Sequence, residues 1–393
     1  MSHKTYSYGK QYIDDADIEA VVQTLKSDWL TQGPKVKEFE DALCREFNAR
    51  YGSVVSNGTA ALHLIAMALG WKKGDLIITT PLTFLASANC AIYVGADVDF
   101  VDVDEFSYTL SPEKLQTRIT ALEQKGRRVK AVVAVDFAGH PCDWKALREL
   151  ADQNNFQLVA DSCHALGALY EGDKGYAARY ADAVCLSFHP VKHITTGEGG
   201  AVLTNRKDVD DAVKTFRTHG MTKDPALMEK NDGPWYYEMH SVGYNYRLTD
   251  FQCALGLTQL QKLPQFVTDR RKIAAQYDTL LSGDDRFVVP RVARNALHAY
   301  HLYPLRIPFP QLRIAKAEFF GRLRESGIFC QVHYIPVHLQ PFYRKQFGFK
   351  EGDFPSAERI YREEVSIPCY PGLAPEDLQY IVGSIKSASI KGN

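Results

Sequence analysis

The sequence predicts an α/β fold built around a mostly parallel β-sheet. Between about residues 50 and 205, short apolar runs alternate with stretches of helical periodicity, the pattern of successive βαβ units. The runs are apolar at consecutive positions, as expected for strands that are covered by helices on both faces. The predicted strands are 54–55, 76–79, 98–103, 131–135, 157–160, 183–187 and 201–204, and two of the helices between them are 59–69 and 143–153.

A smaller α+β region is expected towards the C-terminus. A long helical segment covers 248–263, and the second region begins around 264–271. We therefore expect a large domain, with the N-terminal segment, over residues 1–260 and a smaller domain over residues 261–393. The elements predicted for the smaller domain are a strand at 300–307, a helix at 315–326, a strand at 328–333 and a final helix at 375–387.

The composition is that of an ordinary globular protein. The 393 residues are 45% hydrophobic and carry a formal net charge of −1, which argues against the basic face that nucleic-acid binding needs. No stretch approaches the roughly 20 apolar residues that span a bilayer, and residues 1–6 lack the apolar run of a signal peptide. The eight cysteines are scattered without a Cys-x-x-Cys pair. We expect free thiols, no metal site, no membrane association and a cytoplasmic location.

Asp161 is the first candidate functional residue. It follows the predicted strand 157–160, so it stands at the carboxyl end of a parallel strand, where ligands of open α/β sheets bind. Taken alone, such an acid is more often a helix cap or a loop residue. Its functional interpretation is a carboxylate that holds a cationic ring nitrogen.

Lys192 is the second candidate, in the segment Ser187–Gly200 between two predicted buried strands. Burial lowers the pKa of a lysine and makes a nucleophilic amine available. Gly197, Gly199 and Gly200 would allow a tight bend or a close approach to a ligand. By itself, the segment is also compatible with a loop lysine beside a glycine-rich turn.

The third candidate is the helix start in Ser56–Leu64. Backbone amides at a helix N-terminus, supported by the helix dipole, form a phosphate site, although most such turns are ordinary caps. Together the three pieces match what pyridoxal 5′-phosphate (PLP) requires: a phosphate anchor, a carboxylate for the pyridine nitrogen and an amine for a Schiff base. The sequence therefore predicts a PLP enzyme that uses Lys192.

Several motifs point to one family. The most specific is the block Asp161–Gly167 followed by Ser187–Gly200, and the others are Leu30–Gly33, Ser56–Ala60, Thr83–Ala86, Arg217–Gly220, Gly243–Arg247 and His333–Pro336. Over nearly its whole length the chain resembles the DegT-type sugar aminotransferases, which have the aspartate-aminotransferase fold (fold type I). The resemblance implies a large PLP-binding domain with a mostly parallel sheet and a smaller C-terminal α+β domain.

The resemblance also implies how the cofactor is held. Lys192 would form the Schiff base and Asp161 would keep the pyridine nitrogen protonated. His164 would hydrogen-bond the phenolic oxygen of PLP, and Phe84 would stack on the ring. The phosphate would be held by Gly58, Thr59, Ser187 and Asn245. In this family the asparagine comes from the neighbouring subunit, which implies a homodimer with shared active sites.

The residues implied for the sugar-nucleotide site are more dispersed. Arg247, again from the partner, could pair with the diphosphate through its planar fork. Tyr6 and Arg247 could instead be structural residues. The full set is Tyr6, Trp29, Leu30, Thr31, Arg247, Gln331, Val332, His333 and Tyr334.

Within the family, the motifs look most like those of enzymes that move an amino group from L-glutamate to C4 of a UDP-linked 4-keto-6-deoxy-N-acetylhexosamine. The product would be UDP-4-amino-4,6-dideoxy-N-acetyl-beta-L-altrosamine, an intermediate of pseudaminic acid biosynthesis. Another nucleotide-linked keto sugar, of the perosamine or aminoarabinose type, is an open alternative.

Three other functions fit less well. Dehydratase relatives lose the Schiff-base lysine, whereas this chain has Lys192. A non-catalytic regulator that binds PLP has no need for Lys192, Asp161, His164 and Ser187 together. A dinucleotide oxidoreductase would carry Gly-x-Gly-x-x-Gly after its first strand, and this motif is absent there.

Overall fold

The computed structural model of the protein describes residues 4–390. The first three residues of the N-terminal run considered above lie outside the described residues. The strands are β1 (Tyr6–Ser7), β2 (Tyr51–Val55), β3 (Leu76–Thr79), β4 (Asp97–Phe100), β5 (Ala131–Val135), β6 (Gln157–Asp161), β7 (Leu169–Tyr170), β8 (Ala183–Ser187), β9 (Gly200–Thr204), β10 (Met221–Thr222), β11 (Glu238–Met239), β12 (Ala296–Leu297), β13 (Tyr303–Arg306), β14 (Ile328–Phe329) and β15 (Glu364–Ile367). The α-helices are α1 (Asp15–Leu25), α2 (Pro34–Glu46), α3 (Gly58–Ala68), α4 (Ala86–Tyr93), α5 (Pro112–Glu123), α6 (Trp144–Asn154), α7 (Tyr176–Tyr180), α8 (Lys207–Phe216), α9 (Asp250–Leu281), α10 (Phe309–Leu312), α11 (Lys316–Glu325), α12 (Pro341–Phe347), α13 (Pro355–Glu363) and α14 (Pro375–Ala388).

The central feature is a seven-stranded sheet with the order β2-β9-β8-β6-β5-β3-β4. All neighbours are parallel except β9, which runs antiparallel to both β2 and β8. The predicted mostly parallel sheet is therefore confirmed. The predicted strands 131–135 and 183–187 match β5 and β8 residue for residue.

Helices cover both faces of this sheet. Along β5, Val132 and Ala134 pack into one hydrophobic core, and Ala131 and Val133 pack into a second core on the other face. The first core includes buried residues of α2, α6 and α9, and the second includes those of α3 and α8. This double coverage explains why the strands are apolar at consecutive positions.

The C-terminal region has a third core around the antiparallel pair β13–β15. The N-terminal strand β1 pairs with β14 of this region, and the last turns of α9 contribute Tyr277 and Leu281 to its core. The boundary expected after residue 260 therefore falls inside α9, a single helix of 32 residues that packs against α1 and α2 at its start.

Several predicted element ends are corrected by the structure. The helix expected over 248–263 continues through Pro264 to Leu281 as part of α9, because Leu263 and Val267, on either side of the proline, are both buried in the first core. The strands expected at 98–103, 300–307 and 328–333 are shorter, and correspond to β4, β13 and β14.

All eight cysteines are free thiols, and five of them are buried. Within residues 4–390, none of the helices combines the length and the apolar character needed to cross a membrane.

Candidate active site

Three sequence-predicted pieces meet at the carboxyl edge of the sheet. The parallel neighbours β6 and β8 end at Asp161 and Ser187, and α3 begins at Gly58 directly after β2. A Cβ atom added to Gly58 would lie 3.1 Å from Cβ of Ser187 and 3.4 Å from Sγ of Cys163. The helix start, the end of β8 and the residues that follow Asp161 are thus in direct contact.

Asp161 is fixed by two hydrogen bonds. Its Oδ2 accepts from the Ser87 hydroxyl at 2.6 Å, and its Oδ1 accepts from the Cys163 backbone amide at 3.3 Å. The Ser87 hydroxyl in turn lies 2.8 Å from the hydroxyl of Thr83. Asp161 is only 6% exposed, so it is an oriented carboxylate suited to a cationic partner.

The start of α3 forms a cradle for an anion. The Asn57 side chain caps the helix by accepting from the Ala60 amide at 2.8 Å, which leaves the amides of Gly58 and Thr59 without this side-chain cap. Opposite them, the only hydrogen bond recorded for the Ser187 hydroxyl in the described part of the chain is a long one accepted from the His189 amide. The absence of a Cβ at Gly58 keeps the space between the two sides open.

Lys192 lies in the loop between β8 and β9. Its Nζ is 3.4 Å from Nε2 of His301. Burial lowers the pKa of this amine, while Cys163, Asp161 and Cys185 nearby raise it by a smaller amount. A larger share of the amine is therefore neutral and nucleophilic near neutral pH than for a lysine in water.

His164 connects the acid loop to the C-terminal region. Its Nδ1 accepts from the Ala138 backbone amide at 3.2 Å, and its Nε2 is 3.1 Å from the Tyr334 hydroxyl. Burial lowers the pKa of His164 well below its usual range, so the ring is neutral. Because Nδ1 accepts, the single proton lies on Nε2, which donates to the Tyr334 oxygen.

Tyr334 and Phe84 border the same space. The two ring centroids are 6.0 Å apart, and 54% of Phe84 is exposed, which leaves a face for a planar ligand. The neighbouring His333 is held by the buried Glu364, which accepts from its backbone amide at 2.8 Å. Burial, with the charge of Lys192 as a smaller cause, lowers the pKa of His333 to about 3.

Tyr6 lies away from the candidate site, in the core of the C-terminal region. It is 5% exposed within the C-terminal core, and its hydroxyl donates to Asp377 at 2.9 Å. These contacts are those of a structural residue. Tyr8, two positions further along the chain, is closer to the predicted site, because its ring centroid is 5.0 Å from that of His333.

The backbone of residues 245–247 lies beside the cradle, because Arg247 pairs with Val55 and the Tyr246 carbonyl accepts from the Ser56 amide. Trp29, Leu30 and Thr31 are exposed in a segment attached to the start of α9, where the Asp250 amide donates to the Leu30 carbonyl at 3.1 Å. Other predicted residues with exposed or half-buried side chains are Asn245, Arg247, Gln331 and Val332.

Sequence reasoning missed two polar contacts of the site. Ser87, which binds Asp161, directly follows the quoted motif Thr83–Ala86, so an extension of that motif by one residue would have included it. His301, which faces Lys192, belongs to a His-x-x-His pattern with His298 that gave no signal on its own.

These residues fit PLP. The cradle at Gly58 suits the phosphate, Asp161 suits the pyridine nitrogen, and Lys192 suits the aldehyde carbon. The fold and the site together define an aminotransferase of the aspartate-aminotransferase fold type. The chain belongs to the DegT/DnrJ/EryC1/StrS aminotransferase family, whose model matches residues 11–386. The family assignment made from the motifs is thereby confirmed.

Curated relatives cover nearly the whole chain. The chain is 37% identical over 381 residues to the UDP-4-amino-4,6-dideoxy-N-acetyl-beta-L-altrosamine transaminase of Campylobacter jejuni, which covers 97% of this chain and 96% of the relative. It is 36% identical over 386 residues to the spore coat polysaccharide biosynthesis protein SpsC of Bacillus subtilis, which covers 98% and 97%.

Solved structures show the same fold. Helicobacter pylori PseC, an aminotransferase involved in the biosynthesis of pseudoaminic acid, superposes with a TM-score of 0.89 at 31% identity, over 98% of this chain and 99% of that one. The PLP form of the putative sugar aminotransferase Spr1654 from Streptococcus pneumoniae gives 0.87 at 29% identity, with coverage of 98% and 99%. Aminotransferases of this family use PLP.

Proposed function

We propose that the protein transfers the amino group of L-glutamate to C4 of a UDP-linked 4-keto-6-deoxy-N-acetylhexosamine, with PLP as its cofactor. The product is UDP-4-amino-4,6-dideoxy-N-acetyl-beta-L-altrosamine, as in pseudaminic acid biosynthesis. The observation that carries the choice of substrate is the 37% identity, over 97% of the chain, to the transaminase that bears this name. A cytoplasmic location is consistent with the eight free thiols.

The residues of the chain divide the work of holding PLP. The amides of Gly58 and Thr59 and the hydroxyl of Ser187 bind the phosphate. Asp161, oriented by Ser87, keeps the proton on the pyridine nitrogen. The exposed ring of Phe84 covers one face of the pyridine ring of PLP. When bound, PLP supplies the electron sink that lets an amino group pass between an amino acid and a keto sugar.

Lys192 attaches the cofactor and carries protons. Because its pKa is lowered by burial, it can act as a nucleophile when PLP enters and as a base once it is released. His164 donates from Nε2, so its proton points to the space that Tyr334 and Phe84 border. In this role His164 binds the phenolic oxygen of the cofactor, with Tyr334 moving aside or sharing the proton.

The acceptor site is completed by a second subunit. Asn245 and Arg247 flank Tyr246, whose backbone is fixed because its carbonyl accepts from the Ser56 amide at 2.8 Å. No hydrogen bond holds either side chain within residues 4–390, so both are free to reach a partner. Asn245 then binds the phosphate of PLP and Arg247 the diphosphate of the sugar nucleotide.

The remaining acceptor contacts come from the chain itself. The exposed segment of Trp29, Leu30 and Thr31 faces the nucleotide, and the segment from Gln331 and Val332 to His333 and Tyr334 faces the sugar. The hydrogen bond from Tyr6 to Asp377 favours a structural role for Tyr6 over a place in this set. The large domain and the smaller C-terminal domain, which share α9, would border the substrate from two sides.

One experiment tests the chemistry. The visible spectrum of the purified protein with PLP is recorded, then after L-glutamate, and then after the UDP-linked 4-keto sugar. Loss of the yellow band with glutamate and its return with the sugar support both halves of the reaction. Lys192→Ala should never show the band, whereas Lys73→Ala, which changes an exposed lysine, should behave as the wild type. A wild type without a band would refute the proposal.

The identity of the acceptor is tested by replacing the UDP-linked hexosamine with other keto sugar nucleotides. The relative SpsC is 36% identical, nearly the same as the transaminase, which keeps other keto sugars in consideration. Restoration of the band by perosamine-type or aminoarabinose-type keto sugar nucleotides, but not by the UDP-linked hexosamine, would retain the aminotransferase and change only its substrate.

Shared active sites are tested with mixed dimers. Lys192→Ala and Arg247→Ala proteins should each be inactive as pure forms. If Arg247 acts across the dimer, coexpression places both defects in one site and leaves the other intact, so activity returns. Failure of the mixture to regain activity would argue against the shared site.

A further inference from the structure

The amine of Lys192 has one close polar neighbour. Within residues 4–390, its only hydrogen-bonding contact is with Nε2 of His301, at 3.4 Å, and it forms no ion pair there. His301 comes from the segment between β12 and β13, 109 positions away along the chain. The contact therefore depends on the tertiary fold.

The position of His301 is fixed by the fold. It is 2% exposed, and its ring centroid lies 4.4 Å from that of His164 and 5.7 Å from that of His193. The fully buried Arg270 donates to the carbonyls of Tyr300 and His301, each at 3.2 Å. The ring therefore has little freedom to leave Lys192.

The proton of His301 is not fixed, in contrast to those of its neighbours. His193 Nε2 faces the Ala299 carbonyl at 3.1 Å, so it must carry the proton. His164 Nδ1 accepts from the Ala138 amide, so it cannot carry one. The Nδ1 of His301 is buried and has no partner in the described part of the chain. Nothing else therefore determines which of its nitrogens is protonated.

We propose that His301 is a positioning residue for Lys192. The Nε2 atom of His301 holds the lysine amine both when the amine is protonated and when it is the free base. As an acceptor, Nε2 takes a hydrogen bond from the amine, and after a change of tautomer it donates to the nitrogen lone pair. The inference rests on the proposed function, in which Lys192 is attached to and released from PLP in turn.

Burial of the pair favours a neutral contact, and the groups around it act unequally on the two partners. Lys192 faces Asp161, Cys163 and Cys185, and His301 faces His164, His193 and Arg270. Burial is the main cause that lowers the pKa of both groups, and the charge of Lys192 lowers the pKa of His301 further. An uncharged imidazole beside an uncharged amine avoids two adjacent buried cations.

The test compares three substitutions at His301 in the full chain. His301→Gln places an amide, which can donate or accept, near the position of Nε2. His301→Asn places the same amide nearer to Nδ1, and His301→Leu removes the polar group. His298→Asn is the structural control, because His298 Nδ1 accepts from the Tyr300 amide at 2.8 Å and an asparagine oxygen can replace it.

Three quantities are measured on each protein. They are the rate at which the PLP-free chain captures added PLP, the pH at which this rate is half-maximal, and the amount of PLP fixed to Lys192 by borohydride and located by mass spectrometry. We expect capture by His301→Leu and His301→Asn to be slower by about tenfold, the effect of losing one hydrogen bond to a charged or reactive group. His301→Gln and His298→Asn should stay close to the wild type in rate and in pH midpoint.

The outcomes are distinct. Equal capture rates and pH midpoints for His301→Gln and His301→Asn would overturn the inference, as would a wild-type rate for His301→Leu. If His301→Leu does not fold, the comparison of the two amides decides alone. Failure of the wild type itself to capture PLP would overturn the proposed function and this inference with it, whereas normal capture by every variant would overturn this inference only.

Discussion

The hydroxyl of Ser87 donates a 2.6 Å hydrogen bond to Oδ2 of Asp161, a residue 74 positions away. Both side chains are buried, and Thr83 continues the chain of hydrogen bonds on the far side of Ser87. The carboxylate is therefore oriented by the protein before any cofactor arrives. A preoriented acid loses less freedom on binding than a mobile one.

Replacement of Ser87 by alanine should weaken PLP binding by about tenfold or more, because a hydrogen bond to a charged group contributes about 1.5–3 kcal/mol. The dissociation constant is measured by titration of the visible absorbance. Ser389→Ala is a matched control, since this buried hydroxyl donates only to the Ile385 carbonyl, far along α14. Equal affinity for PLP in Ser87→Ala and the wild type would show that Ser87 does not orient the acid.

Replacement of Gly58 by alanine should weaken the binding of PLP but not of pyridoxal, which lacks the phosphate. The new methyl group would lie 3.1 Å from Cβ of Ser187 and so narrow the cradle. Gly58 begins a helix, where alanine is well tolerated, so the fold should persist. An affinity lower by about tenfold for PLP alone would reflect lost charge-assisted bonds, and a parallel loss for pyridoxal would contradict the phosphate assignment.

Stability should fall as the pH is lowered below about 6.5. Burial lowers the pKa of eight histidines in the folded protein: His63, His140, His164, His193, His298, His301, His333 and His338. Unfolded histidine titrates near 6.5, so below that pH the unfolded chain binds more protons and is favoured. Each histidine that stays neutral costs about 1.4 kcal/mol per pH unit below its unfolded pKa.

Two buried carboxyl groups act in the opposite direction. Burial raises the pKa of Glu364 to about 7 and that of Asp136 to about 6, so in the folded protein they gain protons in the same pH range and offset part of the loss. Urea unfolding at pH 7.5 and 5.5 measures the balance. His298→Asn removes one histidine and should reduce the difference, and a stability equal at both pH values would contradict the expectation.

Tyr6→Phe should lower stability without changing the Michaelis constant for the sugar nucleotide. The substitution removes a hydrogen bond to Asp377 inside the C-terminal core, which is worth about 1 kcal/mol. Thermal unfolding and steady-state kinetics give the two quantities. A raised Michaelis constant with unchanged stability would return Tyr6 to the substrate site.

The sequence predicted the central sheet well because its strands are apolar on both faces. The ends of β5 and β8 match the predicted ones. The end of α9 was missed because Pro264 suggests a stop, whereas packing of Leu263 and Val267 maintains the helix beyond it. Local propensity was overridden there by tertiary contacts.

The sequence predicted only those residues of the candidate site that lie in recognisable motifs. Asp161 was identified from its position at a strand end, Lys192 from its segment between two predicted buried strands, and Ser187 from the family resemblance. Ser87 and His301 act on them across 74 and 109 positions, and no local pattern reports contacts of that separation. The proposed roles of Asn245 and Arg247 involve a second subunit, so contacts within one chain do not test them.

The pairing of β1 with β14 has a consequence for synthesis of the chain. Tyr6 of β1 also donates a hydrogen bond to Asp377, which the ribosome adds 371 positions after Tyr6. At about 5–20 residues per second, the N-terminal strand waits roughly 20 to 75 s for the segment that buries it. During this interval the ring of Tyr6 lacks the core that buries it and is open to chaperones and proteases.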